Sequence, residues 1–375
     1  MLRASISPTP IALAGNPVKL SIYSTSVVTF SIGSIYSGSI EAGTTDIFIE
    51  EIVQELLPAW SFNDISDEKK NDLLILAEIF KDYIISITNT SGDKITLSHT
   101  ILPGGVSKET LRALVADNNN IFNFKLLNPA NNLFMTSRTN GQYIIMRETE
   151  IMPLVFLYPG GKMKVEAAGE MIELPTGTER RPYALNIPAL RQKLFYDNNK
   201  LVNRFDVYFD QYYSATVLLT PGAIAETRYI IEFMNSYGVY ERVEVTGIPT
   251  LEPEADEEAI YSVYDSDVND YVEKRSRRAS RNILQVQSGF KNQEELIFLI
   301  DMLASEHIRL LGYGEQPIIC TASAEDMSIA LVSREPSSLQ ITLRFVDKDT
   351  HFTHSFAFDF DDNRIHVDQF SQQFN

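Results

Sequence analysis

RYIIEFMNSYGVYERVEVTG, Arg228–Gly247, reads as two strands joined by a tight turn. Tyr229, Ile231 and Phe233 fall on one face of the first strand, and Val239, Val243 and Val245 on one face of the second. Asn235-Ser236-Tyr237-Gly238 supplies the turn, with Gly238 free to take a positive φ. No chemistry is visible in this hairpin. The same period of two recurs through most of the chain and sets the expected fold class: mainly β, with tandem sandwiches of immunoglobulin-like type followed by a small α+β module.

Upstream, Val18, Leu20 and Ile22 alternate with Lys19, Ser21 and Tyr23. Val27–Ile32, Ser34–Ile40 and Asp46–Ile52 follow as short strands divided by glycines. Ser66 is placed to cap a helix running to about Phe80, with Asp67 and Glu68 in its first turn. Tyr83–Asn89 and Lys94–His99 then form a hairpin around Ser91-Gly92-Asp93. These elements define an N-terminal β-sandwich, 1–100, with a helical insertion.

Leu102-Pro103-Gly104-Gly105 interrupts the pattern, and Ser107 can cap a short helix, Lys108–Ala116. Strands are expected over Phe122–Leu127, Asn132–Thr136, Gln142–Arg147, Met152–Leu157, Lys162–Ala167, Glu170–Leu174, Leu201–Asp210 and Ser214–Leu219, with one or two helical turns at Pro188–Phe195. The Arg228–Gly247 hairpin closes this second sandwich, 101–250. The stretch 251–273 carries nine acidic residues and no Lys or Arg, and reads as an acidic linker. The C-terminal α+β module, 274–375, opens with Lys274, Arg275, Arg277, Arg278 and Arg281. Its one helix, Asn292–Ser305, presents Leu296, Leu299, Ile300 and Leu303, with Ile297 widening the apolar face. Strands are expected at Ile283–Gln287, Ile308–Leu311, Pro317–Ala322, Met327–Val332, Gln340–Phe345, Phe352–Phe358 and Arg364–Val367.

The chain has 375 residues, is 44% hydrophobic and carries a net charge of −18. That charge repels nucleic acid and favours solubility. No apolar run approaches the ~20 residues of a membrane helix. The N-terminal segment lacks a basic-then-apolar leader, so no secretory signal is expected. A single cysteine, Cys320, excludes an internal disulfide and reads as a small core residue.

Reactive constellations are sparse. His351 and His354 lie three apart in an alternating segment, which points them to opposite faces. Asp359, Asp361, Asp362 and Asn363 read as a charged turn, since the spacing lacks the glycine and distal Glu of a calcium loop. Pro159-Gly160-Gly161-Lys162 lacks the upstream Gly and the Ser/Thr of a phosphate loop and reads as a hairpin turn. The basic cluster at Lys274–Arg281 pairs with the neighbouring acidic stretch or with another subunit. Tyr208, Phe209, Tyr212 and Tyr213 suit sugar stacking or a protein interface. With Trp60 the sole Trp, a sugar platform is the weaker choice. No catalytic, cofactor-binding or metal-binding residues are nominated.

Four stretches resemble, in order, virion structural proteins of Bacteroidales phages and prophages. They are IALAGNPV (Ile11–Val18), LPGGVSKETLRAL (Leu102–Leu114), NSYGVYERVEVTG (Asn235–Gly247) and VQSGFKNQEELIFLIDMLASEHIRLL (Val286–Leu311) followed by QPIIC. The resemblance implies a non-enzymatic tail or baseplate component. Its partners would be other virion proteins and further copies of itself, with no nucleic acid, membrane insertion or small-molecule substrate. It would be made in the bacterial cytoplasm and then built into the virion. The alternative is a surface adhesin or carbohydrate-binding β-sandwich protein.

Overall fold

The structure is a computed structural model that describes residues 1–58, 71–138, 141–225, 227–255, 260–275, 280–291, 293–313, 316–324 and 337–347. Among them the chain is mainly β, as its alternation requires. It divides into two compact units. The first comprises Met1–Met146, Ile151–Thr220 and Met234–Glu241; the second comprises Arg147–Glu150, Pro221–Phe233 and Arg242–Asn375.

The first unit opens with β1 (Leu2–Ser7), β2 (Ile11–Leu13), β3 (Lys19–Ser24), β4 (Val28–Ile32), β5 (Tyr36–Ile40) and β6 (Gly43–Phe48). A short helix α1 (Glu50–Gln54), β7 (Leu73–Ile75), β8 (Lys81–Asn89) and β9 (Lys94–Leu102) follow. One sheet has the order β1-β3-β6 and the facing sheet β2-β9-β8-β4-β5, with β2 parallel to β9. Val18, Leu20, Ile22, Val28, Phe30, Ile32, Ile85 and Ile87 fill the space between them. These are the residues that alternation assigns to the inner faces. β1 lies before the point where strand structure was expected to begin; Ala4 and Ile6 pair with Ile22 and Leu20.

Two expectations fail here. The described part of the helix expected over Ser66–Phe80 is not α-helical: β7 is a strand, followed by a 3-10 turn at Ala77–Ile79. An unbroken apolar run such as Leu73-Leu74-Ile75-Leu76 fits either state. Pairing with Pro182–Leu185 decides it, and residues 59–70 lie outside the described part. The strand expected over Asp46–Ile52 stops at Phe48, because Ile49 and Val53, four apart, are both buried by a helical turn.

The rest of the first unit is a second sandwich. It contains α2 (Lys108–Ala116), β10 (Tyr143–Arg147), β11 (Leu154–Leu157), β12 (Met163–Ala167), β13 (Glu170–Glu173), β14 (Pro182–Leu185), α3 (Ile187–Asn198), β15 (Arg204–Phe209) and β16 (Tyr212–Thr220). Ser107 caps α2 by accepting the Thr110 N–H at 3.1 Å. The sheets run β10-β16-β15-β12-β13 and β11-β14-β7. Their core holds Phe134, Phe156, Tyr158, Tyr183 and Phe209, whose rings meet at 5.4–6.5 Å.

Phe122–Leu126, expected as a strand, is a π-helical turn that buries Phe122 and Leu126 on one side. Asn132–Thr136 contributes only the bridge Phe134–Phe156. Pro159–Lys162 joins β11 to β12, which belong to different sheets, so it is a crossover between sheets and not a hairpin turn.

The turn at Asn235–Gly238 packs backbone to backbone on Pro103-Gly104-Gly105. Gly105 N donates to Ser236 O at 2.7 Å, and Gly15 N donates to Gly104 O at 2.8 Å. Asn16 grips the same loop from both sides, donating to Val106 O at 2.9 Å and accepting from Val106 N at 3.0 Å. A Cβ on Gly104 would lie 2.1 Å from the Tyr237 carbonyl carbon. Three of the stretches singled out in the sequence therefore meet in one glycine junction.

The second unit is built on β17 (Arg228–Met234), β18 (Tyr240–Ala255), β19 (Ile260–Asp265), β20 (Asp270–Arg275), β21 (Ser280–Lys291), α4 (Gln293–Leu303), β22 (Ile308–Leu311), β23 (Ile318–Ala324) and β24 (Ser337–Phe345). Its main body is a closed barrel, β17-β18-β21-β24-β23-β22. The hairpin expected to finish the second sandwich thus supplies two barrel strands. Of the helix face, Leu296 and Leu299 are buried in the barrel core and Leu303 packs against it. Ile297 instead points outward at 55% exposure, and Phe298 and Met302 complete the buried face. The stretch 251–273, read above as a linker, carries strand over Leu251–Ala255 and in β19 and β20. Ala255 faces Ser280 and Ile260 faces Arg275, so the ladder keeps one register on both sides of residues 256–259. The strands expected at Met327–Val332, Phe352–Phe358 and Arg364–Val367 lie outside the described residues.

Candidate functional site

The buried charges of the second unit were not legible in the sequence. Glu244, fully buried in β18, accepts from Arg147 Nη1 at 2.6 Å, from Ala223 N at 2.8 Å and from Thr149 Oγ1. Its own N–H donates to Glu150 Oε1 at 2.8 Å, and Glu150 Oε2 accepts the Arg147 N–H at 2.9 Å. Glu232 in β17 lies between Arg242, at 3.0 Å, and Arg309. These carboxylates meet the rule that a buried charge must be paired and hydrogen-bonded. Both oxygens of Glu244 are taken, so it is a tie between segments and not a poised base.

Cys320 and His99 are enclosed as well. Cys320 is buried in β23, and burial pushes its thiol up to about 12, which leaves almost no thiolate near neutrality. His99 is buried in the first sandwich. It donates from Nε2 to Pro8 O at 2.7 Å and accepts the Tyr83 hydroxyl at Nδ1, 2.9 Å away. Burial holds its pKa below the ordinary histidine value. At the 159–162 crossover, Lys162 N donates to Asp210 Oδ1 at 2.8 Å, so a carboxylate occupies the place a phosphate would need.

The aromatic group of the second sandwich does not form one platform. Phe209 is core, while Tyr208 and Tyr213 pack edge to face at 5.7 Å and Tyr212 is exposed. Among the described residues, no three His, Cys, Asp or Glu side chains gather as a metal site requires. Trp60, His351, His354 and Asp359–Asn363 lie outside the described residues.

Two open surfaces stand out among the described residues. On the outer face of the first sandwich, a groove of about 540 Å³ crosses β5, β4 and β8 and ends at Lys94. Strand register orders its hydroxyls in two rows: Ser39, Thr29 and Thr88 lead to Lys94, and Ser37 and Ser31 lead to Ser86. Neighbours in a row are separated by the strand spacing, about 4.8 Å. The second surface is the β19–β20 ribbon. Its two described bases, Lys274 and Arg275, lie across from Tyr261 and Ile260, and the β18–β21 ladder sets Arg281 across from Glu254.

No family model matches the chain, and no curated protein matches it. Among solved structures, a chain of a 1.5-MDa bacterial ice-binding adhesin is 12% identical with TM-score 0.15, over 73% of this chain and 95% of that one. The Bacteroides ovatus mixed-linkage glucan utilization locus SGBP-B, in complex with a mixed-linkage heptasaccharide, is 10% identical with TM-score 0.15, over 72% and 69%. The Ca2+-stabilized ice-binding adhesin of an Antarctic bacterium is 9% identical with TM-score 0.16, over 94% and 98%. Likeness at this level carries nothing over to this chain.

Proposed function

We propose that this chain is a non-enzymatic structural component of a phage or prophage tail or baseplate, acting by protein–protein assembly. The observation behind this reading is the glycine junction. Gly15-Asn16, Pro103-Gly104-Gly105 and Asn235–Gly238 come from three of the stretches that resemble virion proteins, and they touch one another. Their work there is to fix backbone segments at contact distance, which suits a part that must hold its neighbours at set spacing. Its partners are other virion proteins, and its course runs from the bacterial cytoplasm into the particle. Mass spectrometry and antibody labelling of purified particles test this. The chain should copurify with tail proteins in fixed ratio. Particles lacking it, together with a soluble protein that turns over a substrate, would overturn the reading.

One observation favours a second reading, a surface adhesin or carbohydrate-binding protein. The hydroxyl rows on β5, β4 and β8 with Lys94 at their end form an open face suited to a polyhydroxylated ligand. Glycan-array binding that is lost on replacing Thr29 and Ser31 with Val would favour it; a blank array would remove it.

A further inference from the structure

β19 and β20 form a two-stranded ribbon with no third strand on either side among the described residues. A two-stranded sheet is marginal on its own in water. This one also leaves much apolar surface open: Ile260 is 56% exposed, Tyr264 52% and Tyr271 69%. The limb leading out to it carries Pro249 and Pro253, which lack the N–H that a further strand would use. The return limb, Asp270–Lys291, contains no proline. At its start, the Tyr271 N–H is met by the Asp270 carboxylate at 2.7 Å, which is how a free-edge amide is satisfied when no strand lies beside it.

The charges of β20, DYVEKR, are divided along the strand, with Asp270 at one end and Lys274 and Arg275 at the other. Two copies paired antiparallel about a two-fold axis must set some residue opposite itself, because paired side chains share a face. If that residue were Glu273, like charges would meet. With Val272 opposite Val272, Asp270 of each copy faces Lys274 of the other, and Tyr271 faces Glu273. Within each ribbon Val263 already lies across from Val272. The pairing would therefore draw an apolar row, Val263, Val272, Val272, Val263, across four strands, flanked by two ion pairs.

We propose that β20 is a homotypic docking edge through which two copies of this chain join in a continuous four-stranded sheet, β19-β20-β20-β19. Asp270 then releases the Tyr271 amide to the second copy and turns to Lys274. The proposal names a partner within the assembly reading but depends only on the purified chain. A monomer in solution would remove this edge and leave a place in the particle through other surfaces untouched.

The full chain should show a concentration-dependent dimer in sedimentation equilibrium. Asp270→Lys and Lys274→Asp should each weaken it about tenfold or more, since each sets like charges opposite twice. Neither position is buried, so folding is expected to survive both. Mixing the two variants should restore the dimer, because each then supplies the charge the other lacks. Val272→Cys should give a covalent dimer on mild oxidation, since directly opposed strand positions lie within disulfide reach and the native Cys320 is buried. Glu273→Cys, which faces Tyr271, should give far less. A chain that stays monomeric, a dimer unmoved by either charge reversal, or a Val272→Cys chain that does not cross-link would overturn the proposal.

Discussion

Gly104→Ala is the sharpest probe of the glycine junction. Gly104 has φ +75°, and an added Cβ would lie 2.1 Å from the Tyr237 carbonyl carbon, 2.4 Å from its Cα and 2.5 Å from Gly238 N. All three are backbone atoms, so no rotamer change relieves the clash, and the turn must retreat by roughly 1.5 Å to reach ordinary contact. Three terms add. Alanine at positive φ costs about 1–2 kcal/mol. Overpacking a tight contact costs about 1–3 kcal/mol. Drawing the turn away stretches the Gly105 N to Ser236 O bond, worth about 1 kcal/mol. The total is about 3–6 kcal/mol, a large share of a typical folding free energy of roughly 5–15 kcal/mol. Gly92→Ala is the control: its φ is +91° and nothing lies within 4 Å of the new Cβ. That variant pays the conformational term alone, about 1–2 kcal/mol. Urea unfolding followed by tryptophan-independent far-UV dichroism measures both. If Gly104→Ala falls within about 0.5 kcal/mol of Gly92→Ala, the junction is not under the constraint argued here.

Leu299 is fully buried on α4, so Leu299→Ala should cost about 2–5 kcal/mol in denaturant unfolding; wild-type stability would mean that the helix face is not packed. Glu244→Ala leaves Arg147 without its carboxylate and two further donors without an acceptor, and should cost about 3–5 kcal/mol; a loss under 1 kcal/mol would show that water replaces the network. His99 has a lowered pKa because of burial, so its neutral form belongs to the fold and the unfolded chain takes up the proton first. Its contribution is complete above the ordinary value of 6.5 and is lost as pH falls through the lowered folded value. Unfolding midpoints between pH 8 and pH 5 should therefore fall less steeply in His99→Gln than in the native chain, and equal slopes would refute the assignment.

Local patterning made most of the strands legible, and its failures share one cause. β3, β4, β8 and β15 sit where period-two alternation places them, because each has one face in a core and one in water. β7 and the Phe122–Leu126 turn escaped because their apolar residues are consecutive or irregular, and a distant partner decides the state. Arg228–Gly247 forms the hairpin its alternation predicts, yet its strands belong to a barrel closed by β21 to β24. Nothing within those twenty residues records which neighbours they meet. The glycine junction was visible only as separate turns. The buried acids were invisible for a further reason: in a chain with 50 Asp and Glu residues, Glu150, Glu232 and Glu244 look like any others until the fold removes them from water.

The fate of those acids bears on how such a protein works. A catalytic carboxylate needs a free oxygen facing a space that a substrate can enter. Glu244 has Arg147 and the Ala223 amide on one oxygen and Thr149 on the other, while Glu232 is clasped between two arginines. Each of these acids joins segments far apart in sequence, as from Thr149 to Glu244 or from Glu232 to Arg309. Such ties raise the cost of local opening, because separating the segments would strand a charge in a dry interior. What the described surface leaves open is of another kind: a ruled face of hydroxyls and the bare edge of a ribbon whose charges run from acid to base. What both surfaces present is spacing and register: hydroxyls set by strand pairing on one, and Val263 across from Val272 on the other.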